Sequence, residues 1–410
     1  MNKYYLKCIS CGREFKETDI EYTCPDCGER KGTLEIFYDY EYLSKKIKKN
    51  FFKKNHIEGI WQFKDILPVT DNVQFPALKV GNTPIYFNHD ISTRFGLNSF
   101  SVKDDGRNPS ASFKDRASSV AVVKAKEKGY DTIFCASTGN AASSLACLSA
   151  VSKLNCVIFV PATSPEAKQS QMQVYGAKVI AIEGFYDRAF DISMKVGLSK
   201  DWYCRNSAIN PYLLEGKKTG ALELALQYDW ELPDCVFVSV GDGTVYSSFY
   251  KGFYDLKKLG LIDKMPVVIG VQSENISPVA DSFDKGEPFE PVDVDGNSVA
   301  DSIAVGKPRD VIKAVTYARR FNGSFIRVSD DEILDAIIEL ARNTGVFAEP
   351  AGAASFAGFK KYAQSNSLEG EDVSIIVTGN GLKDLKSAMK KTGSVKIYPA
   401  DEKVIGEALQ

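Results

Sequence analysis

Asn108-Pro-Ser-Ala-Ser-Phe-Lys-Asp-Arg116 is the most informative stretch of this sequence. Asn-Pro is typical of a turn, and a helix-like run of small and apolar residues follows it at once. Ser112 and Asp115 have the spacing of a capping box with Ser112 as the N-cap, which places Lys114 in the first helical turn. The helix dipole and the apolar neighbour Phe113 both disfavour the ammonium form, so we expect a lowered pKa for Lys114. A neutral amine is what a Schiff-base lysine needs; a solvated surface lysine is the alternative.

The composition is that of an ordinary globular protein. The chain has 410 residues, of which 44% are apolar and 25% charged, and this length suggests two or three domains. A net charge of -2 gives no reason to expect nucleic acid or an anionic membrane as a partner. No apolar run approaches the ~20 residues of a membrane span, and the first residues do not resemble a secretory signal. We therefore expect a cytoplasmic protein.

Four of the nine cysteines form two knuckles near the N-terminus, Cys8-x-x-Cys11 and Cys24-x-x-Cys27, each followed by glycine. Two such knuckles complete a tetrahedral shell of four thiolates, so this spacing predicts a zinc ribbon. With all four positions of the metal used by protein, the zinc would be structural. A redox pair or an empty, degenerate site are the alternatives.

The remaining residue types argue against several catalytic classes. The other five cysteines lie mostly in apolar runs, where they are best interpreted as small buried hydrophobic residues. The whole chain has two histidines, and neither stands in a motif with a cysteine or serine. This disfavours Ser-His-Asp or Cys-His chemistry and catalytic metals held by histidine.

An α/β pattern begins near residue 76. Short apolar runs alternate with helix-like segments, first in three successive strand–helix units and then in a second series. Such alternation predicts two doubly wound parallel sheets, with a ligand cleft at the carboxyl ends of the strands. The runs are 132–136, 156–160 and 178–182, then 236–240, 267–271, 325–328 and 374–378.

Loops rich in small residues follow several of these strands. Ser137-Thr-Gly-Asn140 and Gly241-Asp-Gly-Thr244 each open a helix, so their N–H groups can bind a carboxylate or a phosphate. Thr378-Gly-Asn-Gly381 offers a neutral hydroxyl, and Glu349-Pro-Ala-Gly-Ala353 precedes another small-residue helix. The glycines do not match the dinucleotide fingerprint or the P-loop. Anion-binding turns together with an activated lysine fit pyridoxal phosphate, which needs a lysine, a phosphate cradle and a partner for its ring nitrogen.

The chain resembles the threonine synthases, within fold type II (the tryptophan-synthase-β family) of the pyridoxal-phosphate enzymes. The resemblance runs from the cysteine knuckles to Gly381-Leu-Lys-Asp384 and includes Gly81-Asn-Thr-Pro84, Asn210-Pro-Tyr and the loops quoted above. It implies two doubly wound parallel-sheet lobes, with the cofactor in their cleft and the ribbon in front. We expect the zinc ribbon at 1–36, a large cofactor-binding domain at 37–125 and 215–410, and a small substrate-side domain at 126–214.

The resemblance also implies roles for individual residues. Lys114 would carry the cofactor, Asn140 would bond its ring hydroxyl, and Thr378 would face its ring nitrogen, which favours elimination and replacement over transamination. The cofactor phosphate would be held by Gly241, Asp242, Gly243 and Thr244. The substrate carboxylate would be held by Ser137 and Thr138, the substrate phosphate has Lys103 and Arg116 as candidates, and Ser110 and Asn210 are further substrate-binding candidates. For Arg116, a salt bridge on the helix surface is the alternative.

The implied reaction converts O-phospho-L-homoserine and water to L-threonine and phosphate, in a monomer or homodimer without nucleic-acid or membrane partners. Two features leave the substrate open: Ala111 stands where the family more often has glycine, and Asp104-Asp105 adds negative charge beside Lys103. Cysteate synthase, acting on O-phosphoserine and sulfite, is therefore an alternative, and a serine or threonine ammonia-lyase is another. A catalytically silent ligand sensor is the alternative outside the enzymes.

Overall fold

The computed structural model of the protein describes residues 4–53, 57–70, 74–184, 186–393 and 395–409. Its strands form three sheets. In chain order they are β1 (Tyr4–Cys8), β2 (Glu14–Phe15), β3 (Leu34–Tyr38), β4 (Ile85–Phe87), β5 (Ser99–Asp104), β6 (Thr132–Ala136), β7 (Asn155–Pro161), β8 (Lys178–Ile182), β9 (Tyr203–Cys204), β10 (Cys235–Ser239), β11 (Val267–Ser273), β12 (Ser324–Val328) and β13 (Asp372–Val377).

The helices lie mostly between these strands in the chain, as parallel sheets require. They are α1 (Gly28–Lys31), α2 (Tyr40–Lys46), α3 (Lys49–Lys53), α4 (His89–Phe95), α5 (Lys114–Glu127), α6 (Asn140–Ser152), α7 (Glu166–Val174), α8 (Tyr186–Ser199), α9 (Tyr212–Gln227), α10 (Thr244–Lys258), α11 (Pro278–Lys285), α12 (Val311–Arg320), α13 (Asp330–Thr344), α14 (Pro350–Ser365), α15 (Leu385–Thr392) and α16 (Glu402–Ala408). None of the described helices is both long and apolar enough to cross a bilayer.

Two sheets form the lobes of the molecule. The large-lobe sheet has the order β12-β11-β10-β13-β5-β4 and is parallel except for its edge strand β4, which runs antiparallel to β5. The small-lobe sheet has the order β8-β7-β6-β9 and is parallel throughout. Strands buried on both faces have continuous apolar sequences. The apolar runs of the sequence correspond to β6, β7, β8, β10, β11, β12 and β13, but none of them predicted β4, β5 or β9. The predicted α/β class with two parallel-sheet lobes is confirmed.

Helix α9 packs against both α5 and α10. The approach to α5 is close because Gly216 has no side chain: a Cβ there would lie 2.3 Å from the carbonyl oxygen of Arg116. This contact fixes the position of α5, whose first residue is Lys114.

The N-terminal ribbon has an antiparallel sheet ordered β2-β1-β3. Its strands and connecting segments contain the four cysteines, and it contacts both lobes. On the small lobe, the Tyr22 hydroxyl accepts a 2.9 Å hydrogen bond from the Cys204 N–H. On the large lobe, Lys313 donates to the Leu34 carbonyl at 3.0 Å. Strand β3 runs to Tyr38, past the predicted end of the ribbon at residue 36. Strands β6–β9 lie within the predicted small domain, 126–214. The domain boundaries themselves remain predictions.

Candidate active site

A cavity of about 440 Å³ lies where the carboxyl ends of strands from both lobes meet. The loops after β6 and β9 line it from the small lobe, and those after β10 and β13 line it from the large lobe. Lys114 lines this cavity from the first position of α5. Parallel α/β sheets bind ligands at this edge, so the fold alone marks the cavity as the candidate site.

The turn before Lys114 is held differently from the capping box predicted by the sequence. Phe113 occupies the N-cap position, and the buried Ser112 hydroxyl has no hydrogen-bond partner among the described residues. The Asp115 carboxylate instead accepts hydrogen bonds from the N–H of Ser110 at 2.6 Å and from its hydroxyl at 2.5 Å. The prediction of Ser112 as the N-cap is therefore wrong. The Phe113 N–H donates to the Thr378 carbonyl at 2.9 Å, so contact with the loop after β13 positions this turn.

Lys114 has the lowered pKa expected of a reactive lysine. Burial is the largest cause, and the positive charge of Arg205 lowers the pKa further, while Asp242 and Glu349 oppose the shift. The direction agrees with the prediction, but desolvation is the main reason. An amine with a lowered pKa gives up its proton more readily, and the neutral amine can act both as a nucleophile and as a base.

Two loops that lead into helices lie in the cavity wall. Ser137, Thr138 and Asn140 line it at the start of α6, where helical N–H groups favour negative charge. Gly241 and Asp242 line it before α10. Gly243 has φ of +99°, which turns this loop into the helix and is a conformation that glycine adopts without strain. Gly243 and Thr244 are not among the lining residues.

The second loop contains its own acid and is backed by a buried lysine. Asp242 accepts hydrogen bonds from the Thr244 N–H at 3.1 Å and from its hydroxyl at 2.8 Å. The Lys217 amine donates to the same Thr244 hydroxyl from α9. Burial lowers the pKa of Lys217 to about 7, although Asp242 opposes this. Burial alone would raise the pKa of Asp242, but Lys217 and Lys114 outweigh it and hold that pKa below its usual value.

Thr378 and Glu349 complete the large-lobe side of the cavity. The Glu349 carboxylate accepts a 2.6 Å hydrogen bond from the side-chain amide of Asn140. Burial raises the pKa of Glu349 to about 7. The sequence analysis identified the loop that contains Glu349 but assigned no role to this residue. The available signal was an acidic residue followed directly by a proline that begins a helix of small residues.

Lys103 and Arg116, considered for a substrate phosphate, do not line the cavity. Both are fully buried and share the carboxylate of Glu223, and Arg116 also binds Asp105 through Nε at 2.6 Å and Nη2 at 2.9 Å. Burial alone would lower the pKa of Arg116, but the two acids outweigh it and raise that pKa. Burial alone would raise the pKa of Glu223, but Arg116 and Lys103 outweigh it and lower that pKa. These charges neutralise one another, so the phosphate role is withdrawn in favour of a buried ion-pair network.

The carboxylate of Glu223 also organises the Gly81–Pro84 loop. It accepts hydrogen bonds from the N–H groups of Asn82 at 2.7 Å and Thr83 at 2.8 Å. The network therefore connects the motif at 81–84 to α5 and α9. Its role is to hold the loop before the reactive lysine in place.

Ser110 and Asn210, expected to bind substrate, are engaged with protein and lie outside the cavity lining. Ser110 binds Asp115, as described above. The Asn210 amide donates to the Cys204 carbonyl at 2.8 Å, and its oxygen accepts from the Tyr212 N–H at 3.0 Å. Asn210 thus shapes the turn into α9.

Comparison with known proteins identifies the family of this chain. A family model described as "Pyridoxal-phosphate dependent enzyme" matches residues 77–379. The chain belongs to this family. It is 37% identical to the threonine synthase of Methanocaldococcus jannaschii over 94% of each chain. It is 35% identical to the threonine synthase of Methanosarcina acetivorans over 99% of this chain and 98% of that one.

Solved structures of the family share the fold. The processed form of threonine deaminase isoform 2 from Solanum lycopersicum has a TM-score of 0.66 at 20% identity, covering 76% of this chain and 83% of that chain. Maize serine racemase has a TM-score of 0.64 at 21% identity, covering 75% and 92%. At this identity the likeness shows the fold alone.

The residues present fit the cofactor of the family. Lys114 offers an amine in the cavity, the loop 241–244 offers the start of a helix for a phosphate, and Thr378 offers a neutral hydroxyl for the ring nitrogen. These are the groups that pyridoxal phosphate requires.

The four N-terminal cysteines are compatible with structural zinc. Their sulfur atoms all lie within 4.8 Å of one another, and the sulfurs of Cys11 and Cys24 are 3.8 Å apart. A tetrahedral site with Zn–S bonds of about 2.3 Å has sulfurs about 3.8 Å apart. Cys8, Cys11, Cys24 and Cys27 would therefore hold the ion.

Proposed function

We propose that this protein is a threonine synthase, which converts O-phospho-L-homoserine and water to L-threonine and phosphate. The observation that carries the proposal is Lys114: it opens α5 inside the cavity with a lowered pKa, between two anion-binding loops. Similarity to threonine synthases over nearly the whole chain supports this substrate.

Each part of the reaction has residues suited to it. Ser137, Thr138 and the start of α6 bind the substrate carboxylate, and the Gly241–Thr244 loop binds the cofactor phosphate. Pyridoxal phosphate, when bound, stabilises the negative charge that forms as protons leave the substrate carbons. The Lys114 amine takes and returns these protons, for which a lowered pKa is required.

One of the two sequence features that left the substrate undecided is the acidic pair Asp104-Asp105, and the structure removes the reason for considering it. Asp105 is neutralised by Arg116, and the Asp104 carboxylate bonds the Gly106 N–H at 3.0 Å and Arg107 at 3.2 Å, outside the cavity lining. Neither acid opposes a phosphate in the cavity.

The cytoplasmic location and the monomeric or homodimeric state stay predictions.

The test is phosphate and threonine formation by the purified holoenzyme with O-phosphohomoserine. We expect stoichiometric products, and a loss of at least about a thousandfold in Lys114→Ala. The matched control is Lys126→Ala, since Lys126 is an exposed lysine on the same helix. O-phosphoserine with sulfite is assayed in parallel; cysteate in place of threonine would refute the proposal while leaving the cofactor assignment intact.

A further inference from the structure

Arg205 is a buried arginine in the cavity wall with unused hydrogen-bonding capacity. Its relative exposure is 1%, and it belongs to the cavity lining. Its guanidinium makes one hydrogen bond within the described part of the chain, from Nε to the Ser118 hydroxyl at 3.2 Å, and Nη2 is buried without a partner. No carboxylate of the described residues forms an ion pair with it. Buried charges in proteins are normally paired, so this one calls for an anionic ligand.

The position of Arg205 is set from both lobes. Its N–H donates to the Phe134 carbonyl at 2.8 Å, which extends the pairing of β9 with β6, and Arg205 lines the cavity together with the Ser137–Asn140 loop that follows β6. Ser118 stands one helical turn after Lys114 on α5 and also accepts a hydrogen bond from the Ser144 hydroxyl at 2.8 Å. The guanidinium is therefore fixed close to the reactive amine, and its charge contributes to lowering the pKa of that amine.

The anions of the reaction outnumber the anion-binding loops. A phosphorylated amino acid brings a carboxylate and a phosphate, and the cofactor brings a second phosphate. The cofactor phosphate belongs to the Gly241–Thr244 loop at the start of α10, and the carboxylate to the Ser137–Asn140 loop. The substrate phosphate needs a third site.

The other cations in the lining are less suited to it. Lys307 is paired with Asp187 at 3.3 Å, and the guanidinium of Arg309 stacks on the Phe190 ring, 3.6 Å from its centroid. The planar fork of an arginine matches phosphate oxygens in a bidentate geometry.

We propose that Arg205 binds the phosphate group of the substrate, a role that rests on the proposed function for its substrate class. The three anions then have three separate sites: the two helix starts and the Arg205 guanidinium. Phosphate released by the reaction stays on this cation until it leaves the cavity, so inorganic phosphate is a product inhibitor at this site.

The experiment uses holoenzyme of the wild type, Arg205→Lys, Arg205→Gln and the control Arg94→Gln, which removes a surface arginine paired with Glu339. Binding of inorganic phosphate is measured by calorimetry, together with cofactor content and the KM for O-phosphohomoserine. We expect Arg205→Gln to weaken phosphate binding and raise KM by at least about tenfold, and Arg205→Lys to lie between it and wild type. Cofactor content should match wild type in all variants.

Two results would overturn the proposal. Unchanged phosphate affinity in Arg205→Gln would show that this guanidinium has another role. Loss of cofactor from both Arg205 variants would assign it to the cofactor phosphate. Weakened phosphate binding supports the site even where the wild type forms no threonine, and in that case only the proposed function fails.

Discussion

The side-chain amide of Asn140 donates a 2.6 Å hydrogen bond to the carboxylate of Glu349, across the cavity from the small lobe to the large one. Asn140 begins α6, and Glu349 directly precedes α14. One hydrogen bond thus connects the starts of two helices at the candidate active site.

The first prediction concerns the titration of Glu349. Because burial raises its pKa from 4.5 to about 7, the folded state binds more protons than the unfolded state between these values. The free energy of unfolding should therefore fall as the pH rises from about 4.5 to about 7, by up to about 3 kcal/mol from this group. Urea unfolding of wild type and Glu349→Gln across this range measures the effect as a difference. Parallel curves for the two proteins would contradict it.

The second prediction concerns the ion-pair network around Arg116. Arg116→Met leaves the buried carboxylate of Asp105 without its ion-pair partner and leaves Glu223 with Lys103 alone, which should cost about 3–5 kcal/mol of stability. Arg116→Lys should lose less, because one charge remains. Denaturant unfolding and KM for the substrate are measured on both variants. A raised KM without loss of stability would restore the substrate-phosphate role.

The third prediction concerns Ala111, whose φ of +61° lies in the left-handed region that favours glycine. Its carbonyl accepts a 3.1 Å hydrogen bond from the Asn380 N–H, so the conformation is fixed by a contact with the loop after β13. Ala111→Gly should raise the free energy of unfolding by up to about 1 kcal/mol. Lys153→Gly, at φ of +57°, is the matched comparison and should shift in the same direction. If Ala111→Gly lowered the free energy of unfolding while Lys153→Gly did not, the contacts of the Ala111 methyl group would stabilise the protein by more than the backbone strain costs.

The fourth prediction concerns zinc removal. Helix α1 follows the last cysteine and binds the 286–296 segment, through Arg30 to Asp293 at 2.6 Å and Lys31 to Glu290 at 2.6 Å. Residues 294–296 line the cavity. Chelation should therefore speed hydrogen exchange in this segment by about tenfold or more and lower activity.

The control for zinc removal is the double variant Arg30→Gln, Lys31→Gln, which removes the two ion pairs and keeps the metal site intact. Exposed ion pairs contribute only about 0–1 kcal/mol each, so global stability should change little while exchange in the segment rises. Unchanged exchange after chelation would show that the segment is held without the ribbon.

The sequence predicted the features that depend on local pattern. Parallel strands such as β10 (Cys235–Ser239) are almost entirely apolar because both faces are buried, and this made the two lobes recognisable. Cysteine spacing located the sulfur cluster, and the turn and helix pattern after Asn108 placed Lys114 in the first turn of a helix, although the capping box used to place it is not formed.

The features that it did not predict depend on partners distant in the chain. Arg116 and Lys103 were candidate phosphate ligands because Glu223, their shared counter-ion, lies more than 100 residues away. The cap at Ser112 failed because contact with Thr378 sets the backbone of that turn. Arg205 and Lys217 belong to no local sequence motif. Arg205 is recognised by its burial and by the missing partner of its Nη2 atom, and Lys217 by its burial and its hydrogen bond to the Thr244 hydroxyl. Only the three-dimensional structure shows these features.

The contacts of the N-terminal ribbon with both lobes have a consequence for how the cell makes this protein. A chain translated during zinc shortage would form the sheets of its two lobes but lack an ordered ribbon to connect them. The fraction of newly made protein that matures into catalyst would then follow the zinc supply. Amino-acid production by such a cell would be tied to its metal nutrition without any dedicated sensor.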